Sequence, residues 1–173
     1  MATTGPTTLT IARFTVESAN QDGLDDNSYR TTDLVFAGAG LLSVLQLRRD
    51  AVYDPVARGR VASIDALYWL QNRGEPRPAQ AVSFAVGQGG AVYMAGRRSV
   101  DSSFWTKVDL SGLHEADLDL VAGSGPAHPD FSAGRLEFGY LTANSCGWAP
   151  GRRPAWSTRP SAAIAAWQVV VHR

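Results

Sequence analysis

The chain is poor in cysteine, lysine, glutamate and histidine. Cys146 is the only cysteine and Lys107 the only lysine, with four glutamates and three histidines among 173 residues. A lone cysteine excludes an intrachain disulfide and any cysteine-rich metal site. No apolar run reaches the ~18 residues that a membrane-spanning helix needs, so no membrane insertion is expected. The opening MATTGPTTLTIARF lacks a basic region followed by an apolar one, so the expectation is a soluble chain without a secretory leader; the compartment is left open. Excess charge is missing too, since 16 Lys and Arg balance 16 Asp and Glu. A neutral chain offers no general attraction to a nucleic-acid backbone or an anionic membrane. The preference for Arg is explained more simply by a GC-rich coding bias than by ligand chemistry.

Catalytic spacings are equally scarce. Glycan hydrolysis usually needs two carboxyl groups facing one bond, roughly 5–9 Å apart. Asp117 and Asp119 have i, i+2 spacing but sit in a turn-like segment, and Glu137 reads as a solvated edge charge on an outward strand face. His114, His128 and His172 share no metal spacing. His128 lies in a His-Pro-Asp turn, where a loop hydrogen bond is its ordinary role. GQGGAV reads as a hairpin turn and not as a phosphate cradle.

What is present is alternation. Hydrophobic residues at 45% and charged residues at 18% suit a globular core. One domain over 1–173 is expected, with residues 1–7 frayed. Phe104, Thr106, Val108 and Leu110, and again Leu136, Phe138 and Tyr140, place every second side chain on a face that a sheet would bury. The segment 123–134, GSGPAHPDFSAG, is too rich in Gly, Pro, Ser and Asp to continue either strand. A first strand is expected over Leu9–Val16, followed by a polar loop from Ser18 to Asp33. Val82–Val86 and AVYMAG form a hairpin across Gln88–Gly89–Gly90. Arg60–Asn72 fits a strand through Ile64, Ala66, Tyr68 and Leu70, although a helix also accommodates its apolar residues. Ser111 is expected to cap a short helical turn containing Glu115. In the last strand Ala163, Ala165, Trp167, Val169 and Val171 are expected to share one face. Eight to ten short strands with at most one short helix imply an all-β fold, a two-sheet antiparallel β-sandwich or jelly roll.

Two loops carry candidate chemistry. Asp22, Asp25, Asp26 and Asn27 could converge on calcium; without an EF-hand spacing, an Asx-rich turn competes with that reading. The 142–161 segment supplies Asn144, Trp148, Arg152, Arg153 and Trp156. Aromatic faces stack on the C–H side of sugar rings while amides and Arg read hydroxyls. The competing reading is that these tryptophans cap one open end of the sandwich. Trp105, outward-facing with Lys107 and Asp109, is a further candidate, whereas Trp69 and Trp167 are assigned to the core.

GRVASID, GQGGAVYMA, LSGLHEADL, HPDFSAGRLEFGYLTANS and the closing IAAWQVVV together resemble bacterial concanavalin A-like (laminin G-like) β-sandwich domains. The resemblance covers roughly residues 58–173 and implies a two-sheet jelly roll. Its closing phrase usually reads GIDNW; here Ala165 and Ala166 stand where Asp and Asn are usual. Members include lectins, glycan hydrolases and adhesion modules, often extracellular, so the fold alone does not select an activity. The E-x-D-x-x-E signature of the hydrolases is absent. The leading expectation is a non-catalytic module binding a glycan or similar polar ligand through Trp105, Asn144, Trp148, Arg152 and Trp156. The alternative is an assembly domain whose exposed aromatics form a homo-oligomer interface. A glycan hydrolase or lyase is third.

Overall fold

The computed structural model describes residues 7–14, 29–33, 40–73, 80–146 and 161–173. Among these residues ten strands run in chain order as β1 (Thr7–Phe14), β2 (Tyr29–Asp33), β3 (Gly40–Tyr53), β4 (Ser63–Asn72), β5 (Gln80–Gln88), β6 (Ala91–Val100), β7 (Thr106–Leu113), β8 (Asp119–Ala122), β9 (Leu136–Cys146) and β10 (Ser161–His172). A helical turn, α1 (Pro55–Arg58), follows β3, and Glu115–Asp117 forms a 3₁₀ turn. The strands build a six-stranded sheet ordered β1-β3-β9-β5-β6-β8 and a four-stranded sheet ordered β2-β10-β4-β7. This is the expected sandwich, with one departure from antiparallel pairing: β1 runs parallel to β3. Parallel neighbours need a crossover, and the chain makes it by visiting the other sheet through β2. The polar loop expected up to Asp33 therefore ends in a strand.

Inward-facing aromatics fill the gap between the sheets. Tyr68 from one sheet, with Phe84, Tyr93 and Tyr140 from the other, are among the largest fully buried side chains. The Phe84 and Phe138 rings stack with centroids 6.2 Å apart. Burying a side chain of this size is worth roughly 1.5–3 kcal/mol. Burial pushes the Tyr68 hydroxyl pKa up to about 12, against the pull of Arg98, so it adds no charge to the core near neutral pH. Tyr140 donates to Gln46 Oε1 at 3.0 Å. The β4 strand alternates half-buried and buried along its whole length, which settles Ser63–Asn72 of the expected Arg60–Asn72 segment as strand.

The connection from β8 to β9 closes one end of the gap. Phe131, 1% exposed, reaches into the core, its N–H donating to Glu115 Oε1 at 2.7 Å and its carbonyl accepting from the Val61 N–H at 2.9 Å. Gln88 of the β5–β6 hairpin holds this loop from outside, donating to the Asp130 and Ala133 carbonyls and accepting from the Asp130 N–H. His128 makes its expected loop bond, Nδ1 to the Leu118 carbonyl at 3.0 Å. The cap of the 3₁₀ turn is His114 and not Ser111, which belongs to β7: the His114 N–H donates to Asp117 Oδ2 at 2.8 Å.

Several strands contain bulges, and each changes which residues face inward. In β10, Ala165 lies opposite Trp69 but Gln168 lies opposite Leu67, so Ala166 and Trp167 together oppose Tyr68 alone. Ala162 and Ile164 face the core before the bulge; Trp167, Val169 and Val171 pack against it afterwards. The single face expected through Ala163, Ala165 and Trp167 is therefore broken at Ala166. A second bulge in β7 is formed at Ser111–Gly112, with Gly112 at φ +67°. There the Gly112 N–H donates to Asp65 Oδ1 at 2.7 Å, while His172 Nε2 meets Asp65 Oδ2 at 2.7 Å. Asp65 thus ties together three strands of the smaller sheet. Phe104 and Thr106, expected inward, are exposed because β7 begins only at Thr106 and its buried pair is Val108 and Leu110.

Two measurements test these joints. Ala166 is the only non-glycine with positive φ among the described residues, at +48°. A Cβ there costs roughly 1–2 kcal/mol. After the unfolded-state entropy of glycine is subtracted, Ala166→Gly should raise stability by about 0.5–1 kcal/mol, and Ala166→Val should lower it, in urea unfolding. The Gly112 N–H and then His172 hold the Asp65 carboxyl below the ordinary carboxylate range. A depressed folded value stabilises the protein above the unfolded pKa, and that contribution is lost as pH falls through the folded one. Asp65→Asn should therefore melt earlier than wild type at pH 6–7, with the gap narrowing below about pH 4. A gap that does not change with pH would show that the Asp65 charge contributes nothing.

Candidate functional site

The residues expected to bind ligand divide into two groups. Trp148, Arg152 and Trp156 lie outside the described residues, as do Asp22, Asp25, Asp26 and Asn27 of the calcium reading. Asn144 is not in a loop: β9 continues to Cys146, and Asn144 follows the inward phase of Phe138, Tyr140 and Thr142. Trp105 precedes β7 and is half-buried, its indole nitrogen covered. Trp105 thus lies just outside the smaller sheet, next to β7, and Asn144 on β9 of the larger one. Trp69, assigned to the core from sequence, falls between buried Tyr68 and Leu70 and takes the outward, half-buried phase.

A different group of side chains surrounds an open pocket of about 400 Å³ along the margin between the sheets. Two bulges create it. On β3, Leu47 pairs with Gly139 and Val52 with Glu137, so residues 48–51 oppose Phe138 alone. A Cβ at Gly139 would overlap the Gln46 carbonyl and crowd the Leu47 Cα, so only glycine allows β3 to approach this closely before it swings out. On β10, the Ala166–Trp167 bulge turns the indole to the same margin. Bulges commonly re-aim side chains beside functional sites.

Arg48 and Asp50 are carried on the excursion from β3. Arg48 binds Asp50 through both carboxylate oxygens, Nε to Oδ1 at 2.7 Å and Nη2 to Oδ2 at 3.0 Å. This bidentate bond holds the Asp50 carboxyl below its ordinary range. The Arg48 guanidinium lies 5.9 Å from the centre of the Trp167 ring. Asp54 caps α1 by accepting from the Val56 and Ala57 N–H groups, and Pro55 occupies the first helical turn. That turn brings Arg58 to 6.0 Å from the Tyr53 ring, while the Tyr53 hydroxyl donates to the Gly59 carbonyl at 2.9 Å. Gln168 and the apolar Val169 and Phe138 also line the pocket.

Arg48 lowers the pKa of the pocket's carboxylate, Asp50, and so favours its ionised form. An indole edged by guanidinium, carboxylate and amide groups matches the combination that holds a polar ring by stacking and hydroxyl bonding. Two recesses lie on the outer face of the larger sheet, about 300 Å³ beside Leu47, Gly87 and Glu137 and about 180 Å³ beside Ser43, Ser83 and Met94. No aromatic ring lines either one. Glu137 is half-buried on a central strand and is not the solvated edge charge expected. Among the described residues, no three His, Cys, Asp or Glu side chains gather as metal ligands, and no helix is long and apolar enough to cross a membrane.

No family model matches the sequence. No curated protein aligns with it significantly. Among solved structures, the chain is similar to a family 11 carbohydrate-binding module of the cellulosomal cellulase Lic26A-Cel5E of Clostridium thermocellum, at TM-score 0.45 and 6% identity, over 92% of this chain and 97% of that one. It is also similar to a chain of infectious bursal disease virus, Gx strain, at TM-score 0.30 and 12% identity, over 87% of this chain and 38% of that one. At these scores neither likeness bears on ligand or activity. The β-sandwich rests on the two sheets themselves.

Proposed function

We propose that the chain is a non-catalytic binding module for a glycan or a similar polar ligand, and that the Trp167 pocket is its principal site. One observation carries this reading: two bulges, one on each sheet, bring an indole and a bidentate Arg48–Asp50 pair to the same open recess. A core with no use for such a margin would keep β3 and β10 regular. Instead β10 holds Ala166 in a strained conformation next to the indole. Strain of this kind collects where geometry serves binding or chemistry. Trp105, Asn144, Trp148, Arg152 and Trp156 form a second proposed set of contacts, and calcium at Asp22, Asp25, Asp26 and Asn27 remains a separate proposal.

A glycan array followed by titration of intrinsic tryptophan fluorescence tests the assignment. A bound glycan should change the emission, and Trp167→Ala should weaken its affinity at least about tenfold, roughly 1.4 kcal/mol. Asp50→Asn, which releases Arg48 from its bidentate partner, should weaken it less. Loss of binding in Trp148→Ala with Trp167→Ala unaffected would move the site to the 142–161 segment. An array with no hits would remove the glycan reading altogether.

A further inference from the structure

We infer that the free edge of β7 pairs with the same edge of a second copy of this chain, joining two four-stranded sheets across a two-fold axis at Val108. This interface lies apart from the Trp167 pocket and does not depend on the binding reading. β7 is the outer strand of its sheet, and among the described residues no strand lies beside its other edge. An edge of this length is a template for another strand. The larger sheet ends in β1 at one edge and in β8 at the other, and β8 at four residues is too short to serve.

The charge order of β7 suits a copy of itself. An antiparallel pair centred on Val108 sets Thr106 opposite Leu110 and Lys107 opposite Asp109, twice over by symmetry. Opposite charges in facing positions stabilise strand pairs, whereas like charges oppose them. In the single chain Lys107 Nζ reaches Asp109 Oδ2 at 3.0 Å, with both side chains about half exposed. An exposed pair of that kind is worth little, so exchanging it for two interchain pairs costs little. The ladder stops at the Ser111–Gly112 bulge. Opposite that bulge lies Phe104, 80% exposed, whose N–H is held by Ser102 Oγ at 3.0 Å. A Cβ placed on Gly112 would meet nothing within 4 Å, which leaves room for the Phe104 ring of the second copy. Five paired residues and one ring on each side bury less than the ~1,000 Å² of a durable complex, so the dimer should form reversibly with concentration.

Sedimentation velocity of the full chain in low salt tests this. Wild type should shift from its 18.5 kDa monomer toward twice that mass as concentration rises, and Phe104→Ala should weaken the shift. Lys107→Asp alone sets acids opposite acids, and Asp109→Lys alone sets bases opposite bases, so each should stay monomeric. An equimolar mixture of these two variants should dimerise, because every facing pair is then opposite in charge. The Lys107→Asp/Asp109→Lys double variant should recover self-association. A wild type that remains monomeric at every concentration overturns the inference. So does dimerisation of both single variants at wild-type strength, or a mixture that stays monomeric.

Discussion

Two sheets packed face to face share one gap, and along any strand only alternate side chains can enter it. Every paired strand must therefore agree on which residues are inside. In this protein the agreement is kept by breaking strands and not by keeping them uniform. β10 turns even-numbered residues inward up to Ile164 and odd-numbered ones from Trp167. β3 does the same across residues 48–51: Gln46 is inside with Tyr140, then Ala51 and Tyr53 join the core. β7 buries Val108 and Leu110, then uses its bulge to bring Leu113 back against the same core. Each extra residue reverses the faces of everything after it, which is how a period of two absorbs an insertion.

The parts of the fold legible in the sequence are those where the period is unbroken. Ile64 to Leu70, Val82 to Val86 and Leu136 to Tyr140 each declare a buried face, and Gly89–Gly90 declares the hairpin between β5 and β6. Phase changes are harder to read. Gly112 marks its bulge because glycine takes positive φ without strain, but Ala166 gives no such sign. The usual Asn of the resembling domains would have flagged the position, since Asn tolerates the left-handed region. With Ala there, Trp167 reads as the fifth member of a regular inward face. Phe104 misleads for a related reason: it continues an alternation beyond the point where Ser102 has already turned the chain. The parallel β1–β3 pair depends on a partner chosen across the sandwich, and no local pattern records that choice.

The candidate site follows from the same irregularities. Neither Arg48 nor Trp167 would meet if β3 and β10 ran straight, because one strand belongs to each sheet and the margin between them would be closed by regular alternation. Arg48 and Asp50 stand two apart in sequence, a spacing that on a strand gives neighbours on one face, and the excursion converts that neighbourhood into a bidentate pair at the rim. The sequence contains all of the groups. What it does not contain is the event that brings them together, since each bulge is the outcome of pairing with a partner strand far away in the chain.

Pocket and edge occupy different margins of the smaller sheet, and their separation has a consequence for strength. In the order β2-β10-β4-β7 the Trp167 pocket belongs to β10, while the proposed pairing uses β7. Joining two copies at β7 puts five strand spacings between the two β10 strands, roughly 24 Å across the sheet at ~4.8 Å each. On the proposed binding reading, an open recess with one indole and one guanidinium–carboxylate pair would bind weakly at a single position. A ligand that repeats the same group along a chain could occupy both pockets, and the second contact then forms at high effective concentration. Weak, open sites and a weak, symmetric edge are in that sense compatible: a repeating ligand would favour the dimer, and the dimer would favour the repeating ligand.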